Sequence, residues 1–155
     1  MDVYILALCS GEYEDYIESP EYMYFNIQTV KDKWSELILK EQADNAEYDI
    51  VLTALSLFDE EHLDKVFRET IKTFDVDFYD FIDHPDKYPE VLHKFTNREQ
   101  EMFLKYSELN SRYERLGGCS REWDIAYYKL GHYELKEDGS LFLHDTFYDI
   151  GDIKC

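Results

Sequence analysis

VYILALCSGEYEDYIESPEYMYFNI, residues 3–27, is the stretch from which the fold is read. Val3 to Cys9 is an unbroken apolar run rich in strand formers and closed by Ser10-Gly11, the pattern of a buried strand. Tyr22 to Ile27 is aromatic enough for a second strand, antiparallel to the first. Between them, Ser10 to Tyr22 holds five carboxylates and three tyrosines with no Lys, Arg or His. That polar stretch is expected to lie largely at the hairpin end.

Helical signals follow. Thr29 is a candidate N-cap with Asp32 three residues on, and Val30, Trp34, Leu37 and Ile38 recur at helical spacing, which predicts a helix from Val30 to about Gln42. Residues 46–58, AEYDIVLTALSLF, satisfy both periods: Tyr48, Ile50, Leu52 and Ala54 alternate, while Val51, Ala54, Leu55 and Phe58 form a stripe. Helix is the reading favoured. Asp59-Glu60-Glu61 puts acids where a helix dipole favours them, and Leu63, Val66, Phe67 and Ile71 continue a helix to about Thr73. Asp75 to Asp83 fits one helical turn or an edge segment, and Pro85 and Pro89 interrupt regular structure. Thr96 and Glu99 form a capping box for a long helix whose apolar face is Met102, Phe103, Tyr106, Leu109, Tyr113 and Leu116, ended by Gly117-Gly118.

Trp123 to Lys136 is strand-like, Asp138-Gly139 signals a two-residue hairpin turn, and Leu141 to Leu143 returns. In Tyr127-Tyr128 one ring must face outward on a strand. Strands at both ends and helices between them predict an α+β fold: a single domain, 1–155, with a small antiparallel sheet of N- and C-terminal strands packed with a central group of about four helices.

Sixteen Lys+Arg against 35 Asp+Glu give a formal net charge of −19, with the first 50 residues the most acidic. Phosphate affinity needs clustered cations, so direct binding to nucleic acid or to an anionic membrane is disfavoured, and a charged partner should be basic. Cys9, Cys119 and Cys155 show no disulfide or zinc spacing. No stretch has the length of a membrane span, and MDVYILALCS lacks the positive n-region of a signal peptide, so a cytoplasmic protein is expected.

Ser10, Gly11, Tyr13, Asp15 and Tyr16, between a first strand and the second strand and helix that follow, form an SGxYxDY-like turn. On these residues the N-terminal quarter resembles small uncharacterised proteins of phages and Gram-positive bacteria. The resemblance implies a mobile-element setting, in which small acidic proteins act as inhibitors, and brings no catalytic residues with it.

The only glycine pair ends a helix and has no lysine in the phosphate-loop position, which disfavours a nucleotide enzyme. No cofactor is implied. Acids spaced along an extended, cation-poor row can imitate the charge of a nucleic-acid backbone. Glu12, Glu14, Asp15 and Glu18 form one such row, and Asp75, Asp77, Asp80 and Asp83 the other. The expected function is therefore an acidic inhibitor that binds a basic nuclease or nucleic-acid-binding enzyme: an anti-CRISPR or anti-restriction DNA mimic, or the immunity protein of a nuclease toxin. The alternative is a small enzyme or ligand-binding domain, with its site near Cys119, His132 and His144, or near Asp83 and His84, where Asp86 and His93 are further metal-ligand types. A third reading, a helix-mediated scaffold, requires the Met102–Leu116 face to be exposed.

Overall fold

The computed structural model describes residues 1–10, 17–72, 75–123 and 126–153, with backbone alone at 122 and 123. Its elements run β1 Asp2–Ser10, β2 Ile17–Tyr24, α1 Ile27–Leu55, α2 Glu60–Thr70, α3 Phe78–Asp83, α4 Pro89–Leu92, α5 Asn97–Arg115, α6 Ser120–Trp123, β3 Tyr127–Leu135 and β4 Leu141–Phe147. The class is α+β, with one antiparallel sheet in the order β2-β1-β3-β4. The chain gathers into two compact units, Met1–Ala43 with Ser120–Cys155, and Asp44–Cys119.

The first unit contains the sheet. Alternation along β1 sends Leu6 to one face and Val3, Ala7 and Cys9 to the other. On the first face Leu6 and Leu130 pack with Val30 and Trp34 of α1 and with Ile153, flanked by Tyr22, Tyr24, Leu37, Ile38, Tyr128 and Phe147. Leu6, Val30 and Leu130 are wholly removed from water, which stabilises the unit by about 1.5–3 kcal/mol for each side chain. Cys9 is a buried free thiol and Cys119, in the second unit, an exposed one; Cys155 lies outside the described residues.

The second strand begins at Ile17, five residues before Tyr22, and ends at Tyr24. Pro20 is tolerated because β2 is an edge strand, where a missing N–H costs no ladder bond. The extra residue is Glu21, left between the register pairs Leu6–Tyr22 and Ala7–Pro20 as a bulge. The following helix begins at Ile27, and its cap is Asn26, whose Oδ1 accepts from the backbone N–H groups of Gln28 (2.8 Å) and Thr29 (3.2 Å). It then continues unbroken to Leu55, since residues 43–45, Ala-Asp-Asn, contain neither Gly nor Pro to stop it. The C-terminal hairpin is closed by three residues, not two: the Gly139 N–H donates to the Lys136 carbonyl, and Gly139 takes a left-handed φ of 82° that a side chain would oppose.

In the second unit α2, α3, α4 and α5 enclose an aromatic core. Phe81, with no exposure, has its ring centroid 5.2 Å from Phe67, 5.2 Å from Phe103 and 5.7 Å from Phe95. Leu63, Ile71, Phe78, Ile82, Val91 and Tyr106 complete it. A smaller cluster joins Tyr48, Val51 and Leu116, with the Tyr48 hydroxyl donating to the Gly118 carbonyl at 3.1 Å. The α5 capping box forms as expected, with Glu99 N–H donating to Thr96 Oγ1 and Thr96 N–H to Glu99 Oε2. Phe103, Tyr106, Leu109 and Leu116 are buried, so the α5 face is core, not the exposed face a scaffold would need. Residues 75–83 resolve as a helical turn, and α2 stops at Thr70; Thr73, where it was expected to end, lies outside the described residues.

Candidate functional site

The acidic row at 75–83 is built on α3. Phe78, Phe81 and Ile82 recur at helical spacing and bury into the core, so Tyr79, Asp80 and Asp83 are turned outward. Asp77 caps the helix, its Oδ1 accepting from the N–H groups of Tyr79 (2.8 Å) and Asp80 (3.4 Å). The far end is held to α5: the Ser107 hydroxyl donates to the Asp83 carbonyl at 2.8 Å, and the Asn110 amide donates to Asp83 Oδ1 at 3.2 Å. Asp75, Asp77, Asp80, Asp83 and Asp86 are all exposed, and Tyr79 projects among them with 63% of its surface accessible. Among the described residues no ion pair engages these five carboxylates. Arg68, whose charge Asp77 also favours, is paired to Asp64 at 2.8 Å.

The N-terminal row fares differently. Glu12, Glu14 and Asp15 lie outside the described residues, as do the Gly11, Tyr13 and Tyr16 positions of the SGxYxDY-like turn. Glu18, expected to be free for a partner, sits on β2 and is ion-paired to Lys129 of β3. Its register partner is Cys9 and that of Lys129 is Ala7, so the pair crosses β1 over small side chains. The hydrogen bond from Lys129 raises the ammonium's pKa and commits Glu18 to the sheet.

Cys119 belongs to the second unit, His132 and His144 to the first. The two imidazoles lie 5.2 Å apart in a ladder of rings, Tyr4, His132, His144 and Phe142. His132 meets Asp2 at 3.0 Å, which lowers the pKa of that carboxyl, and His144 meets Glu134 at 3.5 Å. Asp83 is engaged by Asn110, while His84 and His93 are exposed. Among the described residues no three His, Cys, Asp or Glu side chains are grouped to hold a metal ion. No helix among them is long and apolar enough to cross a membrane.

Each unit contains a cleft among its described residues. In the second unit a cleft of about 590 Å³ lies between the start of α2 and α5, lined by Phe58, Glu60, Glu61, Tyr106 and Tyr113 among others. Tyr106 donates its hydroxyl to Glu60 there, and burial followed by that bond raises its pKa. In the first unit a cleft of about 430 Å³ has Leu8, Trp34, Leu37 and Ile38 below and Tyr127, Tyr148 and Asp149 at its edge. Sequence reasoning found Tyr127-Tyr128 and the outward turn of one ring: Tyr127 is 39% exposed while Tyr128 packs against the core. It missed Tyr148 and Asp149, which follow β4 with no local motif.

No family model, curated protein or solved structure matches the chain.

Proposed function

We propose that this protein is an acidic inhibitor that binds a basic, nucleic-acid-handling enzyme and occupies the surface with which that enzyme grips phosphate. A phage anti-defence protein of the anti-CRISPR or anti-restriction kind, and an immunity protein against a nuclease toxin, are the two biological settings for such a molecule. One observation carries the reading: the outward face of α3 presents carboxylates that no cation of the described residues neutralises, on a helix anchored by Phe78, Phe81 and Ile82. Asp80 and Asp83 stand one helical turn apart, about 5–6 Å between neighbouring Cβ atoms. An anchored row loses little conformational entropy on binding, and exposed Tyr79 adds a large amphipathic contact at its centre. With a formal charge of −19, encounter with a basic partner is electrostatically accelerated and weakened by salt. Glu18 leaves the proposed epitope because Lys129 holds it; Glu12, Glu14 and Asp15 remain candidate partner-binding residues in addition to the α3 row.

The test joins capture with inhibition. The immobilised chain should retain a basic nuclease or nucleic-acid-binding enzyme at low salt, release it as salt rises, and inhibit its action on nucleic acid. The quadruple variant Asp75→Asn, Asp77→Asn, Asp80→Asn, Asp83→Asn keeps an amide acceptor at the Asp77 cap and should lose both retention and inhibition. Equal retention and inhibition by the variant would remove α3 as the epitope, and a retained enzyme that works undiminished would remove the inhibitor reading.

A further inference from the structure

We infer that the 430 Å³ cleft of the first unit is a binding site for a small organic cation, a protonated or quaternary amine carried on an apolar body. It is separate from the α3 row and stands whether or not that row binds a protein. The cleft lies between α1 and the ends of β3 and β4, and its volume falls in the range of small-ligand pockets, about 300–1,000 Å³.

Its two parts ask for two kinds of surface. Below, Leu8, Leu37, Ile38, Ile150 and Trp34 present hydrocarbon and an indole, which suit an apolar body. At the edge, the rings of Tyr127 and Tyr148 stand 6.5 Å apart with their planes inclined by 49°. Two π faces set at an angle form an open half-cage, the arrangement that attracts an alkylammonium through the ring quadrupoles. Both rings are accessible, Tyr148 to 64%. The charges agree. Asp149 and Glu41 line the cleft, and among the described residues no Lys or Arg does. Glu41 is engaged by Arg121 at 2.8 Å, so the negative charge available to a ligand is that of Asp149. Asp149 is itself positioned, because its Oδ1 accepts the Gly151 N–H at 2.7 Å as the cap of the 3₁₀ turn Ile150–Asp152. The Tyr128 hydroxyl is directed elsewhere, donating to Glu21 at 3.2 Å, so its ring contributes surface and its polar tip makes no demand on the ligand. A phosphate, nucleotide or carboxylate placed at the tyrosine pair would meet Asp149 and the ring faces, which repel an anion.

Three ligands of like size separate charge from hydrophobicity: phenethylamine, protonated at neutral pH, the neutral N-phenethylacetamide, and 3-phenylpropionate. Binding is followed by calorimetry or ligand-observed NMR. The amine should bind about tenfold tighter than the amide, the size of a well-formed cation–π contact, and the carboxylate should not bind. Tyr148→Leu and Asp149→Asn should each weaken the amine several-fold while leaving the amide unchanged. Tyr148 is mostly exposed, and asparagine retains the capping acceptor for Gly151, so both variants should keep the parent's thermal unfolding. Equal affinity of amine and amide, no binding of the amine at about 10 mM, or indifference to both substitutions would overturn the assignment.

Discussion

Gly131 lies on β3 beneath the ring of Tyr133, so close that a Cβ added there would sit 2.4 Å from Tyr133 Cε2. The glycine is a packing requirement, since φ at this position is not left-handed. Gly131→Ala must displace the ring and should cost about 1–3 kcal/mol in urea unfolding. In a Tyr133→Ala background the same change should cost much less, because the clashing atom is gone; a double-mutant cycle measures the coupling. Tyrosines also govern the alkaline limit. Burial, with help from Glu21, pushes the Tyr128 phenol up to about 12, and burial with the Glu60 bond raises Tyr106. Both groups hold their protons more tightly folded than unfolded, where tyrosine titrates near 10. The contribution of Tyr128 is therefore complete below about pH 10 and is lost as pH rises through about 12, and that of Tyr106 also declines as pH rises above about 10. Denaturant unfolding followed from neutral pH to about 12 should show that decline, and Tyr106→Phe should flatten it at the cost of about 1 kcal/mol at neutral pH for the lost hydrogen bond.

At the scale of elements, α5 is legible throughout, because cap, apolar stripe and terminator are all local. Thr96→Ala should lower stability by about 1 kcal/mol, and adding Glu99→Ala should cost less than the sum of the single effects, since the two side chains close one reciprocal cap. Circular dichroism in urea reads both. The α3 turn is six residues long and depends on its anchor. Phe81→Ala removes a ring packed against Phe67, Tyr88, Phe95 and Phe103 and should cost about 3–5 kcal/mol, a loss that would also erase the acidic row as a surface. Elements less legible were those whose limits depend on distant partners. Ile17 to Glu21 reads as a polar connection, with two acids and a proline in five residues, and becomes strand because β1 supplies a ladder and the bulge absorbs the misfit. The two helix readings around 42–46 merge because the polar Asp-Asn there carries no stop signal, whatever its low propensity.

For the whole molecule, charge is the dominant variable. The sheet-bearing unit has seventeen acids against seven Lys+Arg and the other has eighteen against nine, so each repels itself. Raising ionic strength from about 0.01 M to 0.1 M shortens the screening length from about 30 Å to about 10 Å. The melting temperature should therefore rise by a few degrees over that range, read by differential scanning fluorimetry, while affinity for a basic partner falls. Opposite responses of stability and binding to one variable separate self-repulsion from attraction.

Periodicity, caps, turn residues and net charge are properties of neighbouring residues or of composition, and they determined the α+β class, the α5 helix, the terminal hairpin and the acidity of the chain. Which carboxylates are free was decided only by tertiary structure. Glu18 is neutralised by a lysine 111 residues away, while Asp80 and Asp83 face outward with no cation of the described residues paired to them, because the core takes the opposite face of their helix. The same holds for the cleft, where Trp34, Tyr127 and Tyr148 meet only because β1 pairs with β3 and α1 packs across the sheet. Pairing and concavity are relations between distant segments, and chain entropy is spent on them only when the whole core forms.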